Sequence, residues 1–276
     1  MIVAIDTGGT KTLLALFSDQ GTLLKSHRFP TPHDQRDYLA ELPVQLAEFI
    51  SDIDRDQIRA LALASPGLIK DNTIDWGGGN LQWQNVDVAS ALRPLLPIGT
   101  PVLVNNDARL GGLGEVRTLS QYPAMALYVT ISTGIGVGIV THGRLDPNIP
   151  NNEAGHMVLE YDGEMRRWES FGSGKAIKKV YGKFASEIDD PEDWDEIIDR
   201  MSRGFLALIP TLQPDLVIIG GSIGTHFSKY GAKLQQVLRN KLDENIVVPP
   251  LVQAKNPEEA VAYGGYYYAL DYLAQK

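Results

Sequence analysis

Twice along this chain an apolar strand runs into a short loop of glycine and hydroxyl residues and then straight back out as a second strand. The first copy is Ile2 to Ile5, the loop Asp6-Thr7-Gly8-Gly9-Thr10-Lys11, then Thr12 to Phe17. The second is Leu127 to Ile131, the loop Ser132-Thr133-Gly134-Ile135-Gly136, then Val137 to Val140. After each loop the pattern keeps a period of two in β-branched and aromatic residues, which predicts a hairpin. The common glycine-rich nucleotide motifs open a helix instead, so the Rossmann and Walker patterns fit poorly. The repeat points to a duplicated phosphate-gripping fold.

With 276 residues and 43% apolar content, the chain can form one large domain or two lobes around a substantial core. A formal charge of -9 without a Lys or Arg run excludes an extended nucleic-acid footprint. No apolar run approaches the roughly eighteen residues of a membrane span, and Asp6 interrupts the early one. No membrane association is expected, and the expected location is cytoplasmic. The chain has no cysteine, which removes disulfides and thiolate zinc sites.

Further along, Leu23 to Arg28 predicts a strand and Asp34 to Ile53 an amphipathic helix. Ala60 to Ala64 is a buried strand ending in the turn Ser65-Pro66-Gly67, and Gly77-Gly78-Gly79-Asn80 reads as an irregular loop. Val102 to Asn105 delivers Asn106 and Asp107 into a helix running toward Val116. The second half predicts helices near 174–184 and 192–212, a strand at Leu216 to Ile219, a helix from Phe227 to Leu242, a short strand at Leu251 to Gln253 and a terminal helix from Glu258. Two similar halves of alternating strands and helices imply an α/β architecture, with mostly parallel central strands and an antiparallel hairpin at each edge. The cleft between the halves is the natural ligand site.

The Asp6 to Lys11 loop offers backbone N–H groups at Gly8 and Gly9, the Thr10 hydroxyl and the Lys11 ammonium beside a carboxylate. Such a loop can cradle phosphate while Asp6 orients a hydrated magnesium ion; equally, it can be a tight turn that needs glycine only for its dihedrals. Thr133 and Gly134 pose the same choice. Gly220-Gly221-Ser222 either lets a base and ribose approach the backbone or makes a plain strand-to-helix turn. Asp107 alone would be a helix N-cap. Glu153 and His156 in Glu-Ala-Gly-His, Glu169, and Asn80 are singly unremarkable polar residues.

Taken in order, Asp-x-Gly-Gly-Thr-Lys, a Pro-Gly turn, Gly-Asn-Leu, Asn-Asp, Thr-Gly-x-Gly, Glu-x-Gly-His, Glu-Ser-Phe-x-Ser-Gly and Gly-Gly-Ser resemble the ROK family of sugar kinases and related repressors. The resemblance runs from Asp6 to the final helix. It implies the actin-like, hexokinase-type (ribonuclease H-like) fold, with two lobes of duplicated ancestry that close over sugar and ATP. It places a small lobe at 1–107 and 259–276 and a large lobe at 108–258. The first hairpin begins at residue 2, so the repressors' DNA-binding domain and function are not expected here.

The same resemblance makes Asp107 the general base, with Asn80, Asn106, Glu153, His156 and Glu169 among the sugar-binding residues. Asp6 would hold magnesium through water. Gly8, Gly9, Thr10, Lys11, Thr133 and Gly134 would grip phosphates, and Gly220, Gly221 and Ser222 would line the adenosine. A homodimer is also implied. Many family members bind a structural zinc through the His of Glu-x-Gly-His and three cysteines just before the residue matching Glu169; without cysteine, no zinc is expected here. The expected activity is ATP- and Mg2+-dependent phosphorylation of a hexose, glucose at its 6-hydroxyl. The alternatives are fructose or an N-acetylhexosamine as acceptor, polyphosphate as donor, a non-catalytic sugar sensor, and an ATPase acting on a non-sugar partner.

Overall fold

Strand β1 (Ile2–Thr7) turns through the first glycine loop into β2 (Lys11–Phe17), and β2 pairs antiparallel with β3 (Leu23–Pro30). This is the hairpin expected from the period-two pattern, in a computed structural model that describes residues 1–78, 81–149, 151–256 and 259–275. Helix α1 (Gln35–Phe49) follows, its N-terminus capped by Asp34, which accepts from the Arg36 and Asp37 amides. The helix ends short of the expected Ile53. Lys25 Nζ donates to the Phe49 carbonyl at 2.9 Å, satisfying one of the last-turn acceptors there.

Strand β4 (Ala60–Ser65) lies parallel to β1. Between the expected turn at Ser65-Pro66-Gly67 and the expected loop from Gly77, and again beyond that loop, the chain forms a small antiparallel sheet of β5 (Gly67–Lys70), β6 (Thr73–Gly77) and β7 (Gln84–Val86). Its glycines masked the strand signal. Asn72 anchors this sheet, since its side chain donates to the Val102 carbonyl and accepts from the Val104 amide. Helix α2 (Val88–Leu92) leads to β8 (Val102–Asn106), parallel to β4, and then directly into α3 (Asp107–Val116). The sheet order is β3-β2-β1-β4-β8.

The other half opens with the second hairpin, β9 (Met125–Ile131) and β10 (Ile135–Thr141), extended by β11 (Arg144–Leu145). A short hairpin, β12 (Val158–Tyr161) and β13 (Glu164–Arg167), runs into α4 (Trp168–Gly172), followed by α5 (Gly174–Tyr181) and α6 (Pro191–Leu212). Next come β14 (Leu216–Gly220), parallel to β9, the single turn α7 (Gly221–Gly224), α8 (Phe227–Lys241) and β15 (Leu251–Gln253). The sheet order β11-β10-β9-β14-β15 matches the first sheet strand for strand: a hairpin at one edge, then two parallel neighbours. The expected duplication is therefore present at the level of topology.

The chain returns to the first unit as α9 (Ala260–Leu273). That unit comprises Met1–Thr118, Pro147–Asn151 and Glu258–Lys276, and the second comprises Leu119–Asp146 and Asn152–Pro257. Helix α3 belongs with the first unit, where it packs on α9. The contact is backbone to backbone: a Cβ at Gly114 would run into the Ala260 carbonyl, and one at Gly264 into the Leu110 carbonyl. Opposite faces of the first sheet carry separate cores. Val3, Ile5, Leu14 and Leu16 pack with α1 residues Tyr38, Leu42 and Leu46, while Ala4, Ala15, Phe17 and Ala62 pack with Ala262, Tyr266 and Ala269 of α9. Small residues on the second face let α9 lie close to the strands.

Candidate functional site

In the first unit, Asp6 pairs in register with Ala64 of β4, which pairs with Asn105 of β8. Asp6 and Asp107 therefore both lie at the carboxyl ends of parallel strands, where open α/β sheets place their ligands. Burial, then the Asp107 charge, push the Asp6 carboxyl up to about 7, while Arg28 acts in the opposite direction. Burial likewise raises Asp107 to about 6, opposed by the Ala108 amide, which donates to Oδ1 at 2.7 Å. The Asp107 charge disfavours ionisation of Asp6, and a hydrated divalent cation beside these partly shielded carboxylates would relieve that repulsion.

The capping role open to Asp107 belongs instead to Asn106, whose Oδ1 accepts from the Arg109 amide at 3.1 Å. Its Nδ2 donates to the Gly67 carbonyl at 3.0 Å. Asn106 thus ties the start of α3 to the Pro66-Gly67 turn, and one N–H remains for any ligand. Gly67 has φ +95°, and a Cβ there would collide with the Trp76 carbonyl. Asn80 lies outside the described residues.

Gly8 and Gly9 do not have the positive φ that a two-residue hairpin turn of type I′ would demand. Gly8 is instead crowded: its N–H donates to the Lys11 carbonyl at 3.0 Å, and a Cβ would lie 2.9 Å from that same oxygen. Thr10 and Lys11 are exposed. Beneath the loop, the buried Thr7 hydroxyl meets the Tyr38 hydroxyl at 2.6 Å, and Thr12 meets Thr31 at 2.8 Å. The loop is thus tied from below and open above, with bare glycine backbone that an anion could approach.

In the second unit the corresponding loop is organised by Ser132, a residue that local pattern does not distinguish. Its N–H donates to the Gly134 carbonyl at 2.9 Å and its carbonyl accepts from the Gly174 amide at 2.7 Å. Its hydroxyl accepts from the Ser222 amide at 2.9 Å. One serine therefore joins the loop, the start of α5 and the start of α7. Gly221 has φ +75°, and a Cβ there would lie 2.6 Å from the Ile131 carbonyl, so this position requires glycine on both counts. A cavity of about 420 Å3 opens beside these groups, lined by Ser132, Thr133, Lys175, Lys178, Phe184, Ser186, Ser222 and His226 among others. Its size suits a nucleoside. Lys178 Nζ lies 3.7 Å from the Phe184 ring centre. Spacing alone did not mark Lys175, Lys178 or Phe184, which converge only through the packing of α5.

Glu153, His156 and Glu169 are also brought to this unit's loop. A Cβ at Gly134 would lie 2.8 Å from Glu169 Oε2, while Glu169 Oε1 is 3.2 Å from His156 Nε2. The Glu153 carbonyl accepts from the His156 amide at 2.8 Å, closing a 3-10 turn over Ala154–His156. A Cβ at Gly155 would strike the Ile135 carbonyl, so the glycine of Glu-Ala-Gly-His lets this turn press onto β10.

The model of the ROK family matches residues 2–271. The chain belongs to the ROK family. It is 30% identical over 252 residues to an N-acetylmannosamine kinase of Vibrio vulnificus, covering 81% of this chain and 83% of the relative. It is 25% identical over 239 residues to a fructokinase of Lactococcus lactis, covering 80% and 78%. Among solved structures, the inorganic polyphosphate/ATP-glucomannokinase of an Arthrobacter strain is similar, with 27% identity, a TM-score of 0.73, and 100% and 99% of the two chains covered. The duplicated α/β topology is accordingly the actin-like, hexokinase-type fold of ROK proteins.

The family's cysteine-and-histidine zinc does not fit this ROK chain. It has no cysteine, no group of three or more ligating side chains occurs among the described residues, and His156 Nε2 is directed at Glu169. No helix among the described residues is long and apolar enough to cross a membrane.

The Asp6–Asp107 pair has a consequence for stability. Both groups hold their protons more tightly in the fold than at the ordinary 3.8. Between about pH 4 and 7 the folded chain binds more protons than the unfolded one, so this contribution to stability falls as pH rises through that window. Asp6→Asn is therefore expected to stabilise the metal-free fold at pH 8 by about 2 kcal/mol, after allowing for the water that still reaches the carboxylate, and so to raise its melting temperature. Little change is expected at pH 4. Thermal unfolding at both pH values checks this, and a destabilised variant at pH 8 contradicts it.

Proposed function

We propose that this hexose kinase of the ROK family uses ATP with magnesium to phosphorylate the 6-hydroxyl of glucose. The observation that carries the reading is Asp107, a carboxylate at the first residue of α3 whose proton affinity is raised to about 6. A base poised near the working pH is what deprotonation of an attacking hydroxyl requires. The Ala108 amide holds Oδ1, leaving Oδ2 to take the proton as the sugar oxygen bonds to the γ-phosphorus and the bridging oxygen leaves with ADP.

Glu153, His156, Glu169, Asn106 and Asn80 orient the other hydroxyls, carboxylates accepting from vicinal diols in bidentate fashion. The Gly8 to Lys11 and Thr133 to Gly134 loops hold donor phosphates by backbone N–H groups, and Gly220, Gly221 and Ser222 border the nucleoside cavity. Magnesium, carried on Asp6 through water, would neutralise donor charge. The protein's part is positioning and charge stabilisation. A cytoplasmic location and a homodimer belong to the same proposal.

A second donor is favoured by one feature: Lys175 and Lys178 line the cavity, cations that suit polyphosphate as well as ATP. The test is a coupled ADP-release assay with magnesium-ATP against glucose, fructose, mannose, N-acetylglucosamine and N-acetylmannosamine, with polyphosphate as a parallel donor scored by sugar phosphate formed. Glucose as the strongest acceptor supports the reading; a stronger response to fructose or an N-acetylhexosamine reassigns the acceptor. ATP turnover indifferent to sugar points to an ATPase with a non-sugar partner. Silence from folded protein points to a sugar sensor.

A further inference from the structure

His156 and Glu169 flank the β12–β13 hairpin, so whatever holds that hairpin also holds their pairing. The ends of the hairpin are tied by the Trp168 amide, which donates to the Met157 carbonyl at 2.9 Å. An isolated two-stranded hairpin is marginal in water, and this one offers little to bury. Of the eight residues in β12 and β13, Tyr161 alone is buried.

The Tyr161 ring stacks on Phe171 of α4, with centroids 4.5 Å apart and planes 6° from parallel. The guanidinium carbons of Arg200 and Arg203 on α6 lie 5.1 Å and 5.7 Å from the Tyr161 ring centre. Glu196 and Asp199 hold those two arginines through ion pairs one helical turn earlier. Phe171 is two residues from Glu169 on the same short helix. The adjacent Trp168 is fully buried, and its ring fills the space that a side chain at Gly204 of α6 would need.

We propose that Tyr161 is a positioning residue for sugar binding: its ring, engaged by Phe171 and by the two α6 arginines, fixes the turn of α4 that carries Glu169 and thereby the Glu169–His156 pair. The cluster does without metal what a bound ion would do for a loop of this length, since aromatic stacking and cation–π contacts each contribute on the order of 1 kcal/mol. The inference rests on the reading of Glu169 as a sugar ligand.

The test compares full-length wild type, Tyr161→Ala, Tyr161→Leu and Tyr161→Phe by steady-state kinetics, with the acceptor identified in the panel, and by hydrogen exchange. Tyr161→Ala is expected to raise the sugar KM about tenfold with kcat within threefold and the ATP KM within twofold of wild type. Tyr161→Phe, which keeps the ring, is expected to restore the sugar KM to within twofold. If Tyr161→Ala does not fold, Tyr161→Leu, which keeps the apolar bulk but not the aromatic face, is expected to show the same selective rise. A folded variant with unchanged sugar KM, or one in which both KM values and kcat move together, overturns the proposal. If wild type phosphorylates no sugar, the functional reading fails. In that event exchange still decides the anchoring role: amides of residues 169–172 should exchange at least tenfold faster in the Ala or Leu variant, and unchanged exchange refutes the anchor.

Discussion

Asp107→Asn is expected to lower turnover by roughly two to four orders of magnitude, the range for removing a general base, with sugar affinity retained. Asparagine keeps the shape, and its Oδ1 can still accept from the Ala108 amide, so the start of α3 should be undisturbed. The pH profile gives a sharper reading than the rate alone. Burial holds the Asp107 carboxyl at about 6, and a general base acts in its ionised form. Wild-type kcat/KM should therefore fall about tenfold per pH unit below that value, and the residual activity of the variant should lack this limb. Coupled-assay kinetics from pH 5 to 8, with glucose affinity from calorimetry, check both. Near-normal turnover removes Asp107 from the chemistry.

The second large effect is expected far from any substrate. Gly264→Ala places a methyl group against the Leu110 carbonyl where α9 crosses α3. The obstacle is backbone, not a side chain that could turn aside, so the helices must separate. A cost of about 3 kcal/mol follows from overpacking of this kind, lowering the melting temperature by roughly 6–12 °C for a chain of this size. Because Asp107 opens α3, activity should fall with stability even below the transition. Gly99→Ala serves as the control: its φ is +86° but nothing lies within 4 Å of the added carbon, so only the backbone strain of about 1 kcal/mol should appear. Equal losses in the two variants would refute the close-crossing argument.

The elements that carry the proposed site could be read from residue order. Both glycine loops, the Asn106-Asp107 step from strand to helix, and Gly220 to Ser222 after β14 each rest on local pattern: period-two strands, a glycine break, then a change of period. The same rule did not find the small sheet, because Gly67 suggested a turn and Gly77 and Gly78 a loop. In the structure Gly67 is a strand residue whose conformation and crowding both demand glycine, and Asn72 holds the small sheet against β8. The residues around the cavity beside Ser132 and Ser222 were equally hard to find in the sequence. Lys178 and Phe184 come from different local elements, and Ser132 matters through three hydrogen bonds to partners as distant as Ser222.

The sequence by itself determined the duplicated hairpins, the α/β class, the family and the absence of thiolate metal ligands, because hydrophobic period, glycine placement and composition are local properties of the chain. Folding alone reveals that Asn106 rather than Asp107 caps α3, that burial and the Asp107 charge raise the proton affinity of Asp6, and that Tyr161 anchors the hairpin between His156 and Glu169. Each of these depends on burial and on contacts between residues distant in sequence, and a side chain's proton affinity or packing role is set by the groups that folding brings around it.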